Sequence, residues 1–141
     1  MLGLDIGDTR IGVAVSDASG AVASPVTVLD AREVTADSRP LRRLVEEYGA
    51  ELLVAGLPVT MGSDEGPQAA DVRIRAEAMA ESVGLPLEFW DERLSSAEAR
   101  RRMTEAGMSA REQRGRVDKV AAAIVLQGWL DARRVSGLED R

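Results

Sequence analysis

Three acidic positions in this chain have the residue types and spacing to do chemistry. Asp5 sits in LGLDIG at 2–7, where Leu2, Leu4 and Ile6 alternate with Gly3, Asp5 and Gly7, the pattern of a strand. A carboxylate inside such a strand is costly unless it is paired or holds a cation. The flanking glycines leave room for a metal, a phosphate or a nucleic-acid backbone to come close. Asp91 and Glu92 end a later apolar run, and Asp118 falls in the first turn of a final helical stretch. Carboxylates brought from three elements can hold one or two divalent cations and leave positions open for substrate. Singly, each acid also has a plainer use. Asp5 can organise the turn after Gly7, Asp91 or Glu92 can pair with Arg93 or cap the next helix, and Asp118 can answer the helix dipole.

What the chain lacks narrows the chemistry further. It has no histidine and no cysteine. Ser-His and Cys-His nucleophiles, zinc sites built on nitrogen or sulfur, and disulfides are excluded. Carboxylates without those partners favour hard, oxygen-loving cations, so Mg2+ or Mn2+ is the expected cofactor.

These acids must be positioned by the elements around them. The 141 residues, 45% hydrophobic and 30% charged, fit one globular domain spanning 1–141. Strands are predicted over 2–6, 11–15 and 21–29, with Pro25 marking an edge position or a bulge. The polar stretch 30–39 reads as a loop. Pro40 then opens a helix with Leu41, Leu44, Val45 and Tyr48 on its buried stripe and Gly49 as its cap. ELLVAGL at 51–57 reads as a central strand covered on both faces, followed by a glycine-punctuated loop. Pro67 opens a second helix that closes at Gly84, and a fifth strand covers 85–90. Ser95 to Glu98 form a capping box for a third helix, and a last one runs from Val117 to about Arg134. Met103, Met108 and Trp129 are assigned to core packing rather than to an interface. The order β-β-β-α-β-α-β-α-α implies an α/β fold, a mixed five-stranded sheet with helices on both faces. Ligands of such sheets gather at the carboxyl ends of the parallel strands, where Asp5 and Asp91-Glu92 fall.

Four segments in order resemble the YqgF family, also called RuvX-type, of ribonuclease-H-fold proteins related to the RuvC Holliday-junction resolvases. They are LDIGDTRIGVAVSD at 4–17, VAGLP at 54–58 with GPQA at 66–69, DERLSSAEA at 91–99, and VDKVAAAIVLQGWLD at 117–131. The resemblance covers nearly the whole chain. It implies a ribonuclease-H-like fold and a nuclease that matures the small-subunit ribosomal RNA precursor. It carries over Asp5, Asp91, Glu92 and Asp118 as catalytic acids. The expected metal set is Asp5, Glu92 and Asp118, with Asp91 the alternative to Glu92, since strand alternation puts the two on opposite sides. Two departures stand out. The loop after Pro58 has Thr60 and Met61 where the family pattern has an asparagine and an acid. The central strand ends Leu57-Pro58 without an acid, so the geometry differs from a four-carboxylate site.

Net charge is −6, which by itself argues against a nucleic-acid partner, but its distribution does not. Residues 93–116 hold seven arginines against three glutamates, a local balance of +4. Arg10, Arg93, Arg101, Arg111, Arg114 and Arg116 are the expected phosphate contacts, arginine being suited to bidentate phosphate recognition. The leading expectation is therefore a metal-dependent nuclease acting on structured nucleic acid, precursor rRNA or branched DNA. Two other readings stand beside it. Asp5, Gly7 and Thr9 also fit the phosphate-holding hairpin of actin and sugar-kinase ATP-binding modules, and a non-catalytic nucleic-acid-binding factor would share the same fold. Kinship with resolvases, which make two symmetric cuts, implies a homodimer. No secretory leader is evident and the longest apolar run, 120–126, is too short to span a bilayer, so no membrane partner and a cytoplasmic location are expected.

Overall fold

A computed structural model describes residues 1–58, 66–94 and 117–137, the last segment with side chains over 120–133. Strands β1 (Leu2–Ile6), β2 (Arg10–Ser16) and β3 (Ala23–Asp30) form an antiparallel meander. Helices α1 (Ala31–Ala36) and α2 (Arg39–Tyr48) lead to β4 (Leu53–Leu57). Helix α3 (Pro67–Val83) crosses to β5 (Leu87–Asp91), a short 3-10 turn comes next at Glu92–Leu94, and α4 covers Val117–Gly137. The sheet order is β3-β2-β1-β4-β5, with β1, β4 and β5 mutually parallel. This is the mixed five-stranded α/β sheet expected from the sequence.

Side-chain alternation along β1 divides the core into two. Leu2, Leu4 and Ile6 point to the face covered by α1, α2 and α3, where they meet Leu41, Val72, Ala76 and Met79. Gly3 points to the other face, where Ala122 and Leu126 of α4 lie against it. There Val54, Ala14 and Ala23 pack with Ala122, Ala123, Val125, Leu126, Trp129 and Leu130. Strand β4 is covered on both sides, and all five of its residues are buried. Trp129 is core, as expected, and Met103 and Met108 lie outside the described residues.

The edge strand β3 carries the irregularity that Pro25 predicts. The β2–β3 register shifts between Val13 and Ala14, so one residue of β3 is left without an opposite number. Two expectations are corrected. Residues 31–36, read as loop, form α1, because the Asp30 carboxylate accepts hydrogen bonds from the Arg32 and Glu33 amides and Val34 finds a buried seat. Tyr48, read as part of the buried stripe of α2, is 41% exposed, since the helix ends there at Gly49 and turns away from the core. Gly49 and Gly84 both adopt the left-handed conformation that closes a helix. The helix expected after Ser95 lies outside the described residues.

Candidate functional site at the carboxyl ends of the parallel strands

Asp5 is half-buried on β1, flanked by the buried Leu4 and Ile6. Because it stands two residues beyond Gly3, it shares the α4 face of the sheet. The chain reverses directly after it, with the Gly7 amide donating to the Arg10 carbonyl at 2.9 Å. A Cβ at Gly7 would sit 2.8 Å from that carbonyl oxygen, so the turn is too tight for a side chain. Arg75 of α3 donates from Nη2 to the Gly7 carbonyl at 2.8 Å, and the Ala31 amide at the start of α1 donates to the Thr9 carbonyl at 3.0 Å. The hairpin behind Asp5 is thus held by two helices. Asp8, Thr9 and Arg10 at its tip are exposed.

The Asp91-Glu92 pair is split by the end of β5. Leu87 and Phe89 pack toward α3, so alternation sends Asp91 to that same face, away from Asp5. Its carboxylate is fully engaged there. Arg93 Nε lies 3.1 Å from each carboxylate oxygen, Arg93 Nη2 is 2.7 Å from Oδ2, and the Arg93 amide donates to Oδ1 at 2.9 Å. The side-chain hydrogen bonds from Arg93 hold the Asp91 carboxyl below the usual carboxylate range. Asp91 therefore shapes the turn and orients Arg93, the plainer of the uses open to it.

A depressed folded-state pKa stabilises the fold above the ordinary carboxylate range and loses that contribution as pH falls through the folded value. Asp91→Asn is accordingly expected to cost about 1 kcal/mol or less at pH 7, the pair being partly exposed, and nothing once pH is well below 4. Thermal melts of both proteins from pH 7 to pH 2 should converge toward the acid end. A constant gap across that range would show that Arg93 does not stabilise the Asp91 charge.

Glu92 goes the other way. Its Oε1 lies 2.7 Å and its Cγ 3.2 Å from where a Cβ on Gly56 would be. Gly56 points to the α4 face, since Val125 Cγ2 of that helix lies 2.8 Å from the same position. Leu4 pairs with Ala55 in register, so one step further brings Asp5 abreast of Gly56. Asp5 and Glu92 consequently share one face, at the carboxyl ends of the parallel strands β1 and β5 that flank β4. Residue 118 stands one helical turn before Ala122, whose carbonyl faces Gly3, and its side chain lies outside those described. Among the described residues no group of three acidic side chains forms a metal cage.

Of the expected phosphate contacts, Arg10 opens β2 at the exposed hairpin and Arg93 is held by Asp91. Arg101, Arg111, Arg114 and Arg116 lie outside the described residues. Sequence reasoning missed Arg75 and Gly56. Nothing in the periodicity of α3 marks Arg75. A glycine inside an otherwise apolar strand is a signal of close approach, and Gly56 carried it.

Comparisons with known proteins bear on the family and the fold. Residues 1–132 match the sequence model of RuvX, described as a Holliday junction resolvase. A protein of Anaeromyxobacter sp. (strain Fw109-5), named "Putative pre-16S rRNA nuclease", is 46% identical over 132 residues, covering 94% of this chain and 96% of its own. A protein of the same name from Moorella thermoacetica is 44% identical over 138 residues, covering 98% and 99%. Among solved structures, T. thermophilus RuvC in complex with a Holliday junction substrate superposes with a TM-score of 0.55 at 16% identity, over 94% of both chains. RuvC alone gives a TM-score of 0.53 at 17% identity, over 95% of both chains. At that identity the likeness is one of fold, a ribonuclease-H-like sheet. With its sequence matched from end to end of the folded elements and its sheet laid out in this way, the chain belongs to the RuvX family and is a nuclease.

Proposed function

We propose that this chain is a divalent-metal-dependent phosphodiesterase that processes the 5′ end of precursor 16S rRNA, a single domain working in the cytoplasm. The observation that carries the reading is the Glu92 carboxylate lying across Gly56 on the face that Asp5 shares. The donor set fits the cation. Asp5, Glu92 and Asp118 offer only carboxylate oxygens, which suit Mg2+ or Mn2+ and leave coordination positions for substrate. A divalent ion held there would supply positive charge against the phosphate oxygens and acidify a water, so that no histidine is needed to activate it.

The remaining work falls to the protein. The Gly7–Arg10 hairpin, braced by Arg75, fixes Asp5 against the sheet. Arg10, exposed at the tip of that hairpin, contacts the substrate backbone, and Arg93, Arg101, Arg111, Arg114 and Arg116 extend the contact further from the acids. Such contacts position a duplex or hairpin without reading its sequence.

The test presents the purified protein with a labelled precursor-rRNA 5′ end and with a synthetic four-way DNA junction, in Mg2+, Mn2+ or EDTA. Cutting of the RNA that needs metal and is lost in Asp118→Asn is the expected result. Preferential cutting of the junction would instead favour a resolvase, and with it a homodimer making paired incisions. Binding without cutting in every metal would overturn the enzymatic reading.

A further inference from the structure

We propose that Gly56 is a positioning residue for the nuclease reaction, forming the floor of a slot that seats the Glu92 carboxylate beside Asp5. The inference rests on the metal-binding reading of the acidic face and names the residue that builds that face. Strand β4 is a fully buried run, Leu53–Leu57, in which a glycine sacrifices packing and conformational restraint. Close approach of α4 does not by itself demand that sacrifice. Val125 Cγ2 is one methyl of a side chain that a smaller residue could replace. The second neighbour does, if its carboxylate is to stay where it lies. Glu92 Oε1 and Cγ occupy the volume a Cβ would take, at 2.7 and 3.2 Å.

The slot thus has Gly56 beneath, Val125 above, and Asp5 abreast along the register that pairs Leu4 with Ala55. Glu92 enters it from the neighbouring strand, where Leu57 stands opposite Asp91. Its carboxylate is the far end of a flexible chain. A methyl group at 56 would therefore push it out of the slot and away from Asp5, at little cost to the fold once Val125 has been reduced to alanine. In that background the seat is read by a cation held between the two acids rather than by a stability assay.

The experiment uses Val125→Ala as the parent, because that change makes room on the helix side for a Cβ at 56. Gly56→Ala is then added, and Glu92→Gln is made in the same parent. Two quantities are measured on each protein: Mn2+ affinity by titration calorimetry, and, in EDTA, NMR contacts between the Glu92 γ protons and the α protons of residue 56. The parent should show the contact and bind Mn2+. Adding Gly56→Ala should abolish the close contact and weaken Mn2+ by about 10–100-fold, the range of supporting-residue losses at metal sites. Combining Gly56→Ala with Glu92→Gln should weaken it no further than Glu92→Gln alone. Unchanged Mn2+ affinity on adding Gly56→Ala to a parent that binds Mn2+ would overturn the seat and leave the nuclease reading standing. A parent that shows the contact and binds no Mn2+ would overturn both.

Discussion

Asp5→Asn is expected to lower the rate of phosphodiester cleavage by about 10²–10³-fold or more, on the order of the loss when one element of preorganised transition-state electrostatics is removed. The amide keeps the size and half-buried position of the carboxylate, so the braced hairpin behind it need not move. What changes is charge. Without it, the α4 face retains Glu92 but loses the acid abreast of Gly56. Metal should separate the two proteins in stability as well. In Mg2+ or Mn2+, a ligand present at about 100 times its dissociation constant stabilises the folded wild type by about 2.7 kcal/mol, and Asp5→Asn forgoes it. Melting both proteins with and without metal, alongside the cleavage assay, reads all of this. An Asp5→Asn protein that cuts at the wild-type rate would remove Asp5 from the catalytic set.

Gly3→Ala should have the largest effect on the fold. The added methyl carbon would stand 2.6 Å from Leu126 Cβ and 3.0 Å from the Ala122 carbonyl oxygen. Neither neighbour is the end of a flexible side chain, and real Cβ atoms essentially never approach below 3.0 Å. The helix as a whole must lift, and it covers Val54, Ala14 and Ala23 as well as β1. We expect a loss of about 3 kcal/mol, the upper part of the range for overpacked cores, and a melting temperature lower by roughly 10 °C. Leu126→Ala cannot rescue it, since the offending Cβ remains, and Leu126→Ala by itself should cost about 2–5 kcal/mol by emptying a fully buried position. Urea denaturation of the single and double variants distinguishes the cases. A Gly3→Ala change within about 0.5 kcal/mol of wild type would mean that α4 rides higher on the sheet than these distances place it.

Local causes were legible in the sequence and distant ones were not. The β1–β2 hairpin, the edge character of the Pro25 strand and both glycine-capped helices are local, written in alternation and turn residues a few positions apart. The six-residue α1 was not legible. It contains Val34 and Thr35, is too short to show a helical period, and exists because Asp30 caps it and Val34 is buried by other elements. For the site, alternation placed Asp91 and Glu92 on opposite sides, but which side faces Asp5 depends on where α4 lies. That became visible only through Gly3 and Gly56 and the helix atoms over them. Gly56 itself signalled a close neighbour. That the neighbour is a carboxylate from beyond β5 is a fact of sheet order, with β4 between β1 and β5, and no local pattern contains it.

The way α4 lies across β1, β2 and β3 also has a consequence for the order of events during synthesis. Of the described elements, the strand made first, β1, has its far face covered by the helix made last. Until translation has passed Leu130, the apolar patch around Ala14, Ala23 and Val54 has no cover, and Asp5 and Glu92 face open water. A nascent chain of this kind emerges into a crowd of ribosomal RNA with its acids present but unconfined. The helix that covers the core thus also encloses the acids, and a chain still lacking it holds them without the wall that sets them side by side.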